Sequence, residues 1–86
     1  MRVPMGRVVA TPGALELLGH EGCLLLLARH AGGDWGDLDG HDRRQNELAL
    51  RDGERIFSSY ATASGKVWII TEADRSSTCV LLPSEY

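Results

Sequence analysis

The sequence is short of most of the residues that announce a chemistry. It has only two cysteines, three prolines and, at 6%, few aromatics in 86 residues. Cys23 and Cys79 each lie inside an apolar run (CLLLL and CVLL), and no other cysteine or paired histidine stands at metal-ligand spacing. Two buried free thiols are expected, with a Cys23–Cys79 disulfide as the alternative. Nothing beside either residue in sequence would stabilise a thiolate, so a catalytic cysteine is not expected. The longest apolar run, Cys23 to Ala28, is six residues, against about 20 for a membrane span. The opening MRVPMGRVV lacks the apolar stretch of about 7–15 residues that marks a secretory signal, so a cytoplasmic chain is expected. Nine Lys and Arg against twelve Asp and Glu give a net charge of −3, the wrong sign for a general polyanion binder. There is no G-x-S-x-G around any serine, and Gly65-Lys66 lacks the upstream glycines of a phosphate loop. No repeat, linker or low-complexity tract divides the chain, so residues 1–86 read as one domain.

What is present is ordinary globular composition, 43% hydrophobic and 24% charged. The N-terminal half reads as helical. Arg7 to Ala10 is a short edge strand or an extended arm. Thr11-Pro12 is a helix start, a hydroxyl at the N-cap followed by proline where its missing N–H is harmless. Gly19 supplies a stop, Gly19–Gly22 a turn, and Cys23 to Ala31 a second helix. Its four consecutive leucines predict the most buried element of the protein. After the aspartate-rich loop Asp34–Gly40, a third helix runs from about His41 to Arg51. The period then changes: Arg55–Ala61, Val67–Glu72 and Thr78–Leu82 alternate or are β-branched, and short turns join them. The expected class is α+β, two to three short N-terminal helices packed on a C-terminal three-stranded antiparallel meander.

Two places carry candidate function. Asp34, Asp37, Asp39 and Asp42 fall within nine residues, and Trp35 stands among them. The spacing does not fit a calcium loop, because Gly36, Leu38 and Gln45 occupy ligand positions; neither metal nor cofactor is expected. Asp39 or Asp42 is expected to cap the third helix. Trp35 either closes the core or stands out as an anchor for a protein partner, and the second reading is the one adopted. Asn46, four residues after Asp42 on one helix face, is expected to bond backbone carbonyls of the Asp34–Gly40 loop. Asp74 and Arg75 crowd the turn after the central strand, one as a turn cap and the other pairing with a nearby acid. The proposed contact set is therefore Asp34, Trp35, Asp37, Asp39, Asp42, Asn46, Asp74 and Arg75.

Several segments, Ala10–Leu18 (ATPGALELL), Arg29–Asp39 (RHAGGDWGDLD), Asn46–Leu50 (NELAL) and Trp68–Tyr86 (WIITEADRSSTCVLLPSEY), resemble short bacterial proteins carried on plasmids and integrated elements. These are commonly labelled plasmid-related protein. The resemblance implies no catalytic residue. It implies a binding protein that acts on a host or defence-system protein, as an inhibitor of a restriction or CRISPR complex or as an accessory regulator. Two alternatives come from the residues themselves. A small hydrolase or nuclease would need His30, Asp34, Glu72 and Asp74 around one cleft. A nucleic-acid binder would use Arg43, Arg44, Arg51 and Arg55, which interleave with acids and so argue against it. A homodimer is also expected to be possible, since a small sheet leaves edges that a second copy can pair.

Overall fold

Thr11 and Pro12 start a helix as their chemistry dictates. Thr11 is extended and its hydroxyl accepts the Ala14 N–H at 3.2 Å, while Pro12 occupies the first turn. The computed structural model, which describes residues 2–86, carries this helix on as α1, Pro12–Ala31. Gly19 interrupts it at φ 72° and ψ 173°, a backbone state that only a residue without Cβ adopts freely. Helical geometry resumes at once, so the expected Gly19–Gly22 turn shrinks to a single-residue kink. A second helix, α2, spans Gly40–Asp52, with Asp39 as N-cap accepting the Asp42 N–H at 2.8 Å and Gly53 as its left-handed C-cap.

The strands are β1 (Arg7–Ala10), β2 (Ile56–Thr62), β3 (Gly65–Thr71) and β4 (Ser77–Leu81), in the order β1-β4-β3-β2. β2, β3 and β4 form the expected antiparallel meander. The sheet is nevertheless four-stranded and mixed, because β1 lies parallel to β4 in register Arg7↔Ser77. This corrects the three-stranded expectation. The partner of β1 is at the far end of the chain, with α1, α2, β2 and β3 all lying between the two strands in sequence.

Both helices pack on one face of the sheet. Ala14, Cys23, Leu26 and Leu27 of α1 meet Tyr60, Val67, Ile69 and Val80. Under α2, Ala49 and Ile56 join Trp35 and Val3 in a second cluster. The four-leucine segment is not the most buried element, since Leu24 and Leu25 are 53% and 70% exposed. One turn of a helix on a sheet covers only about half its circumference, so two of four consecutive residues must face water. The register places Phe57, Trp68, Ile70, Cys79 and Leu81 on the opposite face. There the chain's last turn, a 3-10 helix at Pro83–Glu85, and Tyr86 border the sheet. Among the described residues no helix is long and apolar enough to cross a membrane.

The outer edge of β2 is closed. The Asn46 side chain donates to the Phe57 carbonyl at 2.6 Å and accepts the Phe57 N–H at 3.1 Å, taking the place of a neighbouring strand. Two residues on, Ser59 donates to the Trp35 carbonyl, and its own carbonyl accepts the Asp37 N–H at 2.7 Å. Gly36 makes this approach possible: a Cβ there would stand 1.9 Å from the Ser59 oxygen, and its φ is 79°. Asn46 therefore bonds β2 and not the carbonyls of the loop. Replacing it with leucine should destabilise the protein by about 2 kcal/mol in urea titration, because the part-buried N–H and C=O of Phe57 lose their partners. The exposed edge should also raise the tendency to aggregate, which light scattering would detect.

Candidate functional site

Seven of the eight residues singled out in the sequence have side chains engaged within the fold, while Asp42 is exposed. Trp35 is 2% exposed, packed on Val3, Ala49 and Ile56, with its indole N–H donated to Glu47 at 3.1 Å. It closes the core and is not an exposed anchor for a partner. Gly33 and Gly36, both at positive φ, flank the turn that carries the ring inward beneath α2. Asp34 pairs with Arg29 at 2.7 Å and accepts the Gly36 N–H. The Arg29 hydrogen bond holds its carboxyl below the usual range. Asp37 faces Lys66 at 3.2 Å. Asp39 caps α2, and Asp42 lies in its first turn, where the helix dipole favours a negative charge. Asp74 accepts the Ser76 N–H at 2.9 Å, closing the turn as expected.

Arg75 does something the sequence did not suggest. Rather than pairing with an acid, its guanidinium donates to the carbonyls of Glu54, Glu72, Ala73 and Ala49. The C-terminal end of α2 and the β3–β4 turn are thereby tied together. To reach them Arg75 takes φ 62°, the only non-glycine residue with positive φ among those described. A fork of donors meeting a helix C-terminus compensates for that backbone state.

The residues required for hydrolysis do not share a cleft. His30 is fully buried. Its Nδ1 is 2.6 Å from the Ser58 hydroxyl and its Nε2 is 2.9 Å from Thr71, whose Oγ1 lies 2.7 Å from that of Thr78. Thr78 donates to the Met5 carbonyl at 2.8 Å. A carbonyl only accepts, so each hydroxyl proton has one direction: Thr71 donates to Thr78, and His30 must donate from Nε2 to Thr71. Ser58 then donates to Nδ1. This chain of four side chains is fully satisfied and sealed from solvent, and burial pushes the imidazole down to about 4. Glu72 is held by Arg55 at 3.1 Å. Among the described residues no group of histidines, cysteines and carboxylates could hold a metal ion, and Cys23 and Cys79 are free thiols.

The arginines proposed for nucleic acid are largely committed. Arg43 donates to the carbonyls of Gly36 and Leu38, Arg51 pairs with Asp52, and Arg55 with Glu72. No basic face results.

What the sequence reading missed is the face of the sheet without helices. Arg55, Phe57, Trp68, Ile70 and Tyr86 line a shallow cleft of about 240 Å³. Phe57 meets Trp68 edge-to-face at 5.1 Å, and Trp68 meets Tyr86 at 5.8 Å. Arg55 bridges the cleft, donating to the Tyr86 hydroxyl at 3.0 Å and to Glu72. The signal was available in the alternation. In IFSSYA and KVWII, Phe57 and Trp68 have the opposite parity to Tyr60 and Val67, so they cannot share the helix-packed face.

Two measurements test these assignments. Replacing Trp35 with alanine should cost about 3–5 kcal/mol and read as a loss of stability in thermal melts. For His30, the folded pKa near 4 lies below the unfolded value of 6.5, so the unfolded chain takes up the proton first. Stability is therefore complete above pH 6.5 and falls by about 3 kcal/mol as pH drops to 4. Asp34 and Glu47 are held below the usual carboxylate range by their arginines, so their contributions are present above the unfolded values of 3.8 and 4.5 and are lost as pH falls from there through the lower folded values. His30→Gln should flatten the denaturation profile between pH 6.5 and 4. With this geometry in view, no family model, curated protein or solved structure matches the chain.

Proposed function

We propose that the protein is a small non-catalytic interaction module that recognises another protein through the helix-free aromatic face of its sheet. The observation that carries this reading is the run of edge-to-face rings, Phe57, Trp68 and Tyr86, on the face that neither α1 nor α2 covers. Aromatic rings beside an arginine are the composition of interface hot spots, and Tyr86 is 72% exposed. Catalysis is disfavoured because the histidine and carboxylates it would use are buried or tied within the fold. Nucleic acid is disfavoured because the cation of the cleft, Arg55, already neutralises Glu72, and Trp68 is contacted by two other rings rather than open for a base to stack. Resemblance to proteins of mobile elements supports a partner among host or defence-system proteins, such as a restriction or CRISPR complex, with inhibition or accessory regulation as the outcome.

Affinity capture from a bacterial host tests the reading, with Tyr86→Ala and Trp68→Ala as paired variants. Tyr86→Ala removes an exposed ring, so the fold should persist by circular dichroism while the captured partner is lost or held at least about tenfold more weakly. Equal capture by wild type and both variants would move the site elsewhere. Salt-dependent oligonucleotide binding that disappears in both variants would reassign the face to nucleic acid.

A further inference from the structure

The two edges of the sheet are treated differently. Asn46 and the 35–37 loop close β2, whereas β1 ends the sheet with no further strand beside it among the described residues. Arg7 and Thr11 donate their N–H groups to the carbonyls of Ser76 and Val80, which turns the odd-numbered peptide groups of β1 toward β4. The N–H and C=O of Val8 and Ala10 therefore point outward. Beside this edge, on the helix-packed side, Val8, Leu15, Cys23, Leu24 and Leu27 line an apolar groove of about 230 Å³. Val8, Val9, Leu15 and Leu24 are 40–53% exposed.

We infer that a second copy of this chain occupies the edge, its β1 antiparallel to the first about a two-fold axis at Val9. The alternation sets that register. Val8 of one copy and Ala10 of the other exchange N–H···O=C bonds on each side of the axis, and the two Val9 residues face each other as the closer, non-hydrogen-bonded pair. Charge then favours a copy over an unrelated strand. In this register Arg7 lies opposite Thr11 of the second copy. Thr11 stays extended, and its hydroxyl is bonded to Glu85, whose carboxylate also accepts the Gly13 N–H. Arg7 makes no ion pair among the described residues of its own chain. It would find one with Glu85 of the second copy, twice in each dimer. The same axis sets both α1 helices on one side of an eight-stranded sheet, so the groove beside β1 faces its own counterpart, where a lone peptide strand would leave Leu24 and Leu25 in water. Because β2 is closed, pairing stops at two copies and no filament grows. The inference is independent of the aromatic-face reading, since that face is bounded by β2, β3 and Tyr86.

Sedimentation velocity over a concentration series, with Val9→Lys and Val8→Pro, tests it. Val9→Lys sets two like charges on the axis. Val8→Pro removes an outward N–H that serves no bond within the chain. Wild type should sediment at twice the chain mass. Each variant should weaken the dimer at least about tenfold with its circular dichroism spectrum unchanged. Hydrogen exchange at Val8 and Ala10 should be slow in wild type and fast in Val9→Lys. A wild type that stays monomeric across the series overturns the proposal. So does a dimer that both variants leave intact, or one in which Val8 and Ala10 exchange fast.

Discussion

A strand edge in water is tolerable, but a strand edge under a helix must find partners for its peptide groups, and the bidentate bond between the Asn46 carboxamide and Phe57 answers that demand. A carboxamide presents one donor and one acceptor at nearly the spacing of a peptide group, so it can stand in for a missing strand. With Phe57 and Ser59 satisfied, α2 can close over Ile56, and Trp35 is drawn in beneath it. The rest of the α2 region follows from that closure. Glu47 on the same helix accepts the indole N–H and pairs with Arg2, and Arg75 reaches the C-terminal end of the helix from the other side.

Polar residues in this small protein are used mainly to define the fold. The chain from Ser58 through His30, Thr71 and Thr78 to the Met5 carbonyl runs across the interior with each proton assigned. A network of this kind tolerates one arrangement of helix and strands, because any slip leaves a buried hydroxyl or imidazole without a partner. The ion pairs among the described residues are solvent-exposed and screened by water, so each contributes little. Groups that resemble active-site machinery in the sequence thus turn out to be its internal fastenings. The surfaces left over for other molecules are apolar: an aromatic sheet face on one side, and an open strand beside exposed leucines on the other.

Local signals were read well where they depend on neighbours in sequence. Thr11-Pro12 begins α1, Asp39 caps α2, Asp74 closes its turn and three strands form a meander, each because the chemistry acts within a few residues. The errors share a cause. The sequence context of Trp35, Asn46 and Arg75 points to the surface, the loop and an acid, because their partners (Ile56, Phe57 and the Ala49 carbonyl) are brought close only by folding. CLLLLA looked uniformly buried for the same reason, since exposure depends on how many sides of α1 the sheet can cover.

The α+β class, the helix caps, the meander and the lack of any metal or nucleophile spacing were determined by the sequence alone, since caps, turns and alternation act over short distances. Tertiary structure decided the fourth strand, the closed and open edges, the burial of Trp35 and His30, and the aromatic face. Apart from the parity that sets Phe57 and Trp68 on one face, each of these depends on a contact between segments far apart in the chain. Such a contact exists only when many weak interactions are satisfied together, and no short window of sequence encodes that condition.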